Sequence, residues 1–297
     1  MIEFSGARVR VTVPATSANL GPGFDAFGLA LGLYDTVCGR VSDRPGVRVT
    51  VSGEGAGELP DDRTHLVASS ALAAFDRLGG RPVGLEIDCA NQIPQARGLG
   101  SSSAAIVAGI TLARTLAPTA LFTDHDALRL ATEIEGHPDN VAPCLLGGFT
   151  IAWMEPDGAV GTVRLSPSAR VRPVVYVPTA RGLTAHARAA LPPTVPHRDA
   201  AANAGRAGLL VHALTQAPEL LLPATEDRLH QDYRAPGMPE TAALVAKLRS
   251  AGIPAVVSGA GPSVLALVLD LAVAPEVDDW QRITPTCDAA GAKGEVD

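Results

Sequence analysis

The sequence predicts an α+β protein with two lobes, and three observations lead to this prediction. Polar residues alternate with valines at 8–13, as in a half-buried strand. Helical spacing of apolar residues follows over 65–78 and ends at two glycines, which stop helices. A second series of strands and helices begins after a Pro-Asp-Gly turn at 156–158. In a chain of 297 residues with 46% hydrophobic content, this alternation favours two lobes that each combine sheet and helix.

The first half of the chain predicts both strands and helices. Thr123 with Asp126 three positions later resembles a capping box, and Gly136 ends the helix that it begins. Pro138 suits the first position of a further short helix. Alternating or clustered apolar residues predict strands at 8–13, 47–51, 83–88 and 149–154. Helical periodicity predicts helices at 65–78, 101–116 and 124–135.

The second half predicts a similar mixture. A strand is expected at 171–177, helices near 182–190, 199–215 and 239–251, and a strand, glycine turn and strand at 255–269. The turn at 156–158 is the candidate boundary, which gives one domain at 1–160 and a second at 161–297. A hairpin inside the first domain is the alternative explanation of that turn.

The composition argues against several classes of partner and site. A net charge of −7, from 24 basic and 31 acidic residues, is unlike a nucleic-acid binder or an anionic-membrane binder. The longest apolar run, 264–274, is far shorter than the roughly 20 residues of a spanning helix. No secretory signal is visible, so we expect a soluble cytoplasmic protein. The four cysteines lack zinc-ligand spacing and are expected to be reduced thiols: Cys38, Cys89, Cys144 and Cys287.

The strongest local motif is the segment 94–105, Pro-Gln-Ala-Arg-Gly-Leu-Gly-Ser-Ser-Ser-Ala-Ala. Its glycines allow the backbone to approach an anion, and a helix is predicted to begin at its serines. The free N–H groups and positive dipole of that helix end would bind phosphate. No Lys follows the glycines, so the segment is not a Walker A loop. An ordinary glycine-serine helix cap explains it equally well when it is taken alone.

Two further glycine-containing segments carry polar residues. Segment 14–25, Pro-Ala-Thr-Ser-Ala-Asn-Leu-Gly-Pro-Gly-Phe-Asp, follows a predicted strand. Asn19 and Asp25 flank its Gly-Pro-Gly turn and could face one pocket. Segment 258–263, Ser-Gly-Ala-Gly-Pro-Ser, lies between two predicted strands. Each segment alone is more often a structural loop or turn.

Together and in this order, segments 14–25, 94–105 and 258–263 resemble the three motifs of the GHMP kinases. The resemblance runs from about residue 8 to 269. It implies a ribosomal protein S5 domain 2-like N-terminal lobe and a ferredoxin-like βαβ C-terminal lobe. Segment 14–25 and the run Glu133 to Phe149 are most similar to the branch of the family that phosphorylates L-homoserine. The same is true of Thr184-x-x-Ala-Arg188 and Asp232-Tyr-Arg234.

By this resemblance, the second motif holds the phosphates of ATP. The residues implied in ATP binding are Pro94, Arg97, Gly98, Leu99, Gly100, Ser101, Ser102, Ser103 and Ala104. Ser102 and Glu133 are implied as ligands of Mg²⁺, a cation that takes oxygen ligands and often only one or two from the protein. His65 stands where relatives commonly carry Asn near the adenine.

The resemblance also implies the site of the acceptor. The implied substrate-binding residues are Asn19, Asp25, His137, Asn140, Arg188 and Arg234, and among them Asp25, Asn140 and Arg188 are assigned to catalysis. A carboxylate suits the ammonium group of a zwitterionic acceptor, and an Arg suits its carboxylate. We expect direct attack of the acceptor hydroxyl on the γ-phosphate, with Asp25 or Asp139 as the alternative general base.

Two other functions stay open at this point. The first is a GHMP kinase for another small hydroxylated metabolite, and the second is a non-catalytic ATP-binding regulator with the same fold. The intact Gly-Leu-Gly-Ser-Ser run weighs against the regulator. An α/β domain whose glycine segments are only turns is the third reading, and the order of three motifs argues against it. The expected partners are ATP, the small-molecule acceptor and a second copy in a homodimer.

Overall fold

The computed structural model describes residues 4–118, 121–182 and 184–297. The strands within these ranges are β1 (Val9–Ala18), β2 (Phe27–Ser42), β3 (Gly46–Gly53), β4 (Gly84–Asn91), β5 (Phe149–Met154), β6 (Val160–Leu165), β7 (Arg172–Pro178), β8 (Ala255–Val257), β9 (Val264–Val268), β10 (Trp280–Ile283) and β11 (Lys293–Val296). The helices are α1 (Leu66–Leu78), α2 (Ser101–Leu116), α3 (Asp124–Glu135), α4 (Pro138–Leu146), α5 (Thr184–Ala189), α6 (His197–Thr215), α7 (Leu221–Ala224), α8 (Gln231–Arg234) and α9 (Pro239–Ser250).

The first half of the chain forms a seven-stranded sheet with the order β11-β1-β2-β4-β3, to which β5 and β6 are added beside β2. β2 is the central strand: it pairs antiparallel with β1, β4 and β5. The pair β3 and β4 is parallel. The C-terminal strand β11 returns to pair with β1, so the end of the chain completes the first sheet.

Helices α1 to α4 cover the first sheet and enclose the main hydrophobic core. α1 and α2 lie very close together. A Cβ atom at Gly109 of α2 would come within 2.3 Å of the carbonyl oxygen of Val67 in α1, which shows how little space separates the two helices. The first residues of α2 are small, and its next turns place Ile106, Val107 and Ile110 in the core at 0–1% exposure. The core therefore fixes the direction of α2 and the position of its N-terminus.

The second half contains a four-stranded sheet with the order β10-β7-β9-β8. A smaller hydrophobic cluster joins this sheet to α9 through Leu244 and Leu248. The β8–β9 connection, residues 258–263, extends from this sheet toward the N-terminus of α2. The two sheets thus approach each other around the glycine-containing segments.

The α+β prediction is confirmed, and so are several elements with local end signals. α2 and α3 have the predicted bounds, α3 begins with the Thr123–Asp126 capping box, and Pro138 opens α4. The helix predicted near 182–190 is observed as α5, with residue 183 outside the described part. Strands β2, β6, β10 and β11 were not predicted. The division at 160/161 stays a prediction, although β6 carries the first sheet to Leu165.

Two expectations from the sequence, on membrane-spanning helices and on the cysteines, can be compared with the structure. Within the described ranges, no helix is long and apolar enough to cross a membrane. The four cysteines are free; three are buried and Cys287 is half-buried. Burial raises the pKa of Cys89 to about 12, so its thiol stays protonated at neutral pH.

Asp35 is a buried carboxyl group that joins β2 to the segment after β4. Its Oδ1 accepts hydrogen bonds from the backbone N–H groups of Gln92 at 2.6 Å and Ile93 at 2.9 Å. The side chain is buried at 7% exposure, and this burial raises the pKa of Asp35 to about 6. The contact positions the chain just before the segment 94–105.

We expect the Asp35→Asn variant to be more stable than the wild type at pH 8. From pH 4 to 6 the unfolded chain loses this proton while the folded chain retains it, so folded stability falls as the pH rises through this window. The Asn variant avoids that loss and keeps an Oδ1 acceptor for both amides. The gain in the free energy of unfolding should reach roughly 2–3 kcal/mol at pH 8 and vanish near pH 4. Urea unfolding at both pH values measures it, with the exposed Asp88→Asn as control; a gain that does not depend on pH would contradict this account.

Candidate functional site

Three glycine-containing segments that are far apart in the sequence meet at one place. Ser258 Oγ lies 2.8 Å from Ser17 Oγ and donates to the carbonyl oxygen of Gly98 at 2.7 Å. The side-chain amide of Asn19 donates to the carbonyl oxygen of Gly259 at 2.9 Å. A side chain at Gly98 would come within 2.2 Å of the carbonyl oxygen of Ser258, so glycine is required for this contact. The three segments therefore form one site.

The N-terminus of α2 points into this site without a side-chain cap. Its N-cap is Gly100, which has φ of 70° and provides no capping hydrogen bond. The first N–H groups of the helix are therefore available to a ligand, and the helix dipole favours an anion there. A side chain at Gly100 would come within 2.0 Å of Thr16 Oγ1, so the first segment lies directly against this helix end. An uncapped helix N-terminus of this kind is suited to an anion, and its role in binding phosphate stays a prediction.

Two serines of α2 contact a carboxylate from the end of α3. Ser102 Oγ donates to Glu135 Oε2 at 2.8 Å, and Ser103 Oγ donates to Glu135 Oε1 at 2.9 Å. A hydroxyl and a carboxylate beside an anion site are oxygen ligands suited to a divalent cation. Within the described ranges there is no cluster of three or more His, Cys, Asp or Glu side chains that could hold a metal. A cation that takes most of its ligands from phosphate and water fits this donor set.

The assignment of Glu133 as a metal ligand is corrected by these contacts. Glu133 accepts hydrogen bonds from Arg77 at 2.6 Å and from Arg129 at 3.2 Å, away from Ser102. Residues two positions apart in an α-helix point to nearly opposite sides, at about 200° of rotation. Glu135 and Glu133 therefore cannot face the same serine, and the packing of α3 places Glu135 there.

Charged and polar groups line the other end of a cavity of about 260 Å³ that begins at α2. Asp25 and Arg188 form a two-pronged ion pair across it, at 2.9 and 3.0 Å. The backbone N–H of Asp25 donates to Asn19 Oδ1 at 2.9 Å, which holds Asp25 at its positive φ of 55°. Asn19, His137, Asn140 and Arg234 also line this cavity. All six residues predicted to bind the acceptor are thus brought together.

His137 and Asn140 are placed by the beginning of α4. His137 Nδ1 lies 2.7 Å from Asp139 Oδ1, and this hydrogen bond raises the pKa of His137. Asp139 is itself buried at 2% exposure. The hydroxyl of Thr16 donates to Asn140 Oδ1 at 2.8 Å, which orients the Asn140 amide. The first glycine-containing segment and α4 therefore position each other.

Arg234 is held by a buried network that was not predicted. His230 is fully buried; its Nε2 lies 2.9 Å from the carbonyl oxygen of Gly21, and its Nδ1 lies 3.1 Å from Arg234. Phe24 stacks on the His230 ring and lies under the Arg234 guanidinium. Burial lowers the pKa of His230 and that of Arg234. The network keeps Arg234 at the edge of the cavity although only 4% of the residue is exposed.

Some residues of the second motif support the site without facing it. Arg97 donates to the carbonyl oxygens of Gln95, Pro178 and Thr179, so its guanidinium ties the motif to the end of β7. Leu99 is buried at 1% exposure. Gly98, Gly100, Ser101 and Ser102 line the cavity. Pro94, Ser103 and Ala104 are not among its lining residues, although Ser103 reaches Glu135.

A second cavity, of about 330 Å³, opens on the other side of the same helix end. Its walls are largely apolar and include Val37, Leu59 and Ala108. Ala96, Ser101 and Ser102 line both cavities. An anionic group bound at the N-terminus of α2 therefore has the apolar cavity on one side and the polar cavity on the other. The first has room for a flat apolar group attached to the anion, and the second has room for a small polar molecule.

The sequence missed Glu135, Thr16, Ser258 and His230 as contributors to this site. Glu135 stands two residues before His137, and this proximity was the signal that could have favoured it over Glu133. Thr16 and Ser258 lie within the recognised segments, but their contacts are with residues more than 100 positions away. His230 has one partner nearby in the chain, Arg234, but its contacts with Gly21 and Phe24 come from a distant loop and leave no local signal.

Comparison with known proteins finds family models and close relatives for this chain. The family model described as GHMP kinases N terminal domain matches residues 65–148, and GHMP kinases C terminal matches residues 200–279. The chain is 61% identical to the homoserine kinase of Streptomyces avermitilis over 296 residues, which cover 97% of this chain and 96% of that protein. It is 51% identical to the homoserine kinase of Clavibacter michiganensis over 302 residues, with 98% and 95% covered.

Solved structures show the same fold. The crystal structure of homoserine kinase from Cytophaga hutchinsonii matches with a TM-score of 0.86 and 29% identity, and 99% of each chain is covered. The L. major mevalonate kinase in complex with R-mevalonate matches with a TM-score of 0.70 at 16% identity, over 98% of this chain and 100% of that one. The second likeness supports the fold alone.

Proposed function

Because this chain belongs to the GHMP kinase family, we propose that it transfers the γ-phosphoryl group of ATP to the side-chain hydroxyl of L-homoserine. The product is O-phospho-L-homoserine, an intermediate of threonine biosynthesis. The protein is thus an ATP-dependent small-molecule kinase with an alcohol acceptor. The relatives that are 61% and 51% identical over nearly the whole chain are homoserine kinases.

The observation that carries this proposal is the meeting of two complementary sites in one cavity. The uncapped N-terminus of α2 is suited to the phosphates of ATP. Across the same cavity, Asp25 offers a carboxylate and Arg188 a guanidinium, which are the groups that a zwitterionic amino acid needs. A hydroxylated amino acid held between them would present its side chain to the phosphate end.

We propose that Ser102 and Glu135 hold Mg²⁺ with the nucleotide. Their oxygens lie 2.8 Å apart beside the N-terminus of α2, and both are oxygen ligands of the kind that this cation prefers. When bound, the cation neutralises charge on the phosphates. Ser103 keeps the Glu135 carboxylate oriented through its own hydrogen bond of 2.9 Å.

The remaining residues bind and orient the acceptor. Asp25 takes its ammonium group, Arg188 and Arg234 take its carboxylate, and Asn140 lies beside the N-cap of α2, where a Cβ atom at Gly100 would come within 3.2 Å of its Oδ1. Orientation of the two reactants and neutralisation of charge provide most of the rate in phosphoryl transfer. His137 lines the same cavity and is oriented by Asp139.

The contacts of the two candidate bases support direct attack by the acceptor hydroxyl. Asp25 is bound by Arg188 and is suited to an ammonium group. Asp139 is buried and its Oδ1 lies against His137. Because each carboxylate already has a partner, we propose that the alignment of the hydroxyl with the γ-phosphate, and not a general base, is the main requirement.

A coupled assay of ADP release tests the proposed function. We expect turnover with ATP and L-homoserine, and little or none with mevalonate, shikimate or galactose, because these lack the ammonium group that Asp25 binds. Turnover with one of the other acceptors in place of homoserine would point to a different GHMP kinase. ATP binding without turnover of any acceptor would favour the non-catalytic regulator.

A further inference from the structure

His230 is a fully buried residue whose imidazole ring uses both of its nitrogens. Its Nε2 lies 2.9 Å from the carbonyl oxygen of Gly21, and its Nδ1 lies 3.1 Å from Nη1 of Arg234. A carbonyl oxygen can only accept a hydrogen bond and a guanidinium can only donate one, so Nε2 carries the proton and Nδ1 accepts. Burial lowers the pKa of His230, which favours the neutral ring that this arrangement requires.

The two partners of this ring belong to the two ends of the acceptor site. Gly21 is part of the turn that leads to Asp25, the carboxylate proposed for the ammonium group of the acceptor. Arg234 is proposed for the acceptor carboxylate, and both Asp25 and Arg234 line the cavity of about 260 Å³. Phe24, the residue before Asp25, stacks on the imidazole ring with 5.2 Å between the ring centroids. One ring therefore contacts the support of one recognition group and the side chain of the other.

The ring and the turn are both held in place by buried polar groups. The carboxylate of Asp227 is buried and accepts hydrogen bonds from the backbone N–H groups of residues 229–231 at 2.8–3.1 Å, which fixes the backbone at His230. The side-chain amide of Asn203 donates to the carbonyl oxygen of Pro22 at 2.7 Å. The distance between the turn and Arg234 is therefore set by a rigid ring on a fixed backbone.

We propose that His230 is a positioning residue that sets the separation between the ammonium-binding and carboxylate-binding groups of the acceptor site. This inference rests on the proposed function, in which the acceptor is a zwitterionic amino acid. The ammonium and carboxylate of such an acceptor are attached to the same carbon atom, so the groups that bind them must keep one separation to contact both at once. His230 does not line the cavity and acts through Gly21 and Arg234.

Two variants each remove one of the two hydrogen bonds of the ring. In His230→Gln, the amide nitrogen takes the place of Nε2 and donates to Gly21, whereas the acceptor for Arg234 is lost. In His230→Asn, the amide oxygen takes the place of Nδ1 and accepts from Arg234, whereas the shorter side chain does not reach Gly21. The Gln variant therefore loosens the carboxylate end of the site, and the Asn variant loosens the ammonium end.

Two truncated forms of homoserine test these ends separately. 3-Amino-1-propanol lacks the carboxylate, and 4-hydroxybutanoate lacks the ammonium group. We expect both variants to lower kcat/KM for homoserine about tenfold. His230→Gln should weaken the binding of 4-hydroxybutanoate about tenfold and keep that of 3-amino-1-propanol within about twofold of the wild type, and His230→Asn should do the reverse. Competition of each compound with homoserine measures its affinity.

This crossed pattern distinguishes a positioning role from general damage to the fold. An equal loss of affinity for the two truncated compounds within each variant would overturn the proposal. The KM for ATP should stay within about twofold of the wild type in both variants, because the phosphate end of the site is unchanged. His212→Gln makes the same substitution at an exposed histidine of α6 and should change none of these quantities.

A spectroscopic measurement on the wild type needs no variant and tests the same proposal. The nitrogen chemical shifts of the His230 ring should show a neutral ring with its proton on Nε2, both with and without homoserine. A charged ring, or a proton on Nδ1, would overturn the proposal, because Nδ1 could then not accept from Arg234.

The failure of this inference differs from the failure of the proposed function. If the wild type phosphorylates homoserine and the crossed pattern is absent, the role of His230 is wrong and the kinase assignment stands. If homoserine is not phosphorylated, the proposed function is wrong, and calorimetric titration with homoserine and the two truncated compounds tests His230 by itself. The crossed pattern in those titrations would support its positioning role, and the absence of the pattern would overturn it.

Discussion

Replacing Glu135 with Gln is expected to lower kcat for homoserine phosphorylation by about 10²- to 10³-fold. The substitution keeps the size of the side chain and its hydrogen bond from Ser102 but removes the charge that a divalent cation requires. The loss should be partly recovered at high Mg²⁺ concentration, since the phosphates and Ser102 would still bind the cation. Initial rates over a range of Mg²⁺ concentrations at saturating ATP and homoserine measure the effect.

Glu133→Gln is the matched control for this prediction. Glu133 lies on the same helix, two positions away, and its carboxylate contacts Arg77 and Arg129 at partly exposed positions. Such surface ion pairs contribute about 0–1 kcal/mol, so this variant should keep nearly full activity and stability. If Glu133→Gln lost activity and Glu135→Gln retained it, the placement of the metal site by the packing of α3 would be wrong.

The second large effect is expected at Arg188. Arg188→Met should lower kcat/KM for homoserine by about 10²- to 10³-fold, because it removes a two-pronged, charge-assisted contact to the acceptor carboxylate. It also leaves Asp25 without the guanidinium that it contacts at 2.9 and 3.0 Å. The KM for ATP should stay close to that of the wild type, since Arg188 does not line the second cavity.

Arg181→Met controls for the loss of a positive charge near the site. Arg181 lies just before α5, the short helix that carries Arg188, and it pairs with Glu58 at an exposed position. Its replacement should therefore change kcat/KM for homoserine little. A second check uses 3-amino-1-propanol, which has the hydroxyl and the ammonium but no carboxylate. The wild type and Arg188→Met should differ little on this acceptor; a loss as large as that seen with homoserine would mean that Arg188 has a structural role only.

Elements with end signals close to them in the chain were predicted well. The capping box at Thr123, the proline that opens α4 and the serines that open α2 all act through contacts within a few residues. β2 was missed because it is a central strand whose first residues are buried on both faces, so its sequence shows no alternation. β11 was missed because its pairing partner β1 is at the other end of the chain.

The homodimer and the cytoplasmic location stay predictions. The three glycine-containing segments, their order and the residue types that they carry were sufficient to indicate the family, while the phosphate end and the acceptor residues stay predictions. Asn19 and Asp25 lie in these segments, and the other four acceptor candidates come from elsewhere in the chain: His137, Asn140, Arg188 and Arg234. These features are local, since a glycine turn, an uncapped helix end and a carboxylate can each be recognised without knowing what lies opposite.

The sequence by itself determined the set of chemical groups, whereas the tertiary structure decided which of them meet. Residue types do not show which face of α3 is turned to the serines, and only its packing against α2 separates Glu135 from Glu133. The Asp25–Arg188 contact and the contact of His230 with Gly21 likewise depend on packing between distant segments. The physical reason is that hydrogen bonds and burial depend on positions in space, and the same local pattern is compatible with several arrangements of its neighbours.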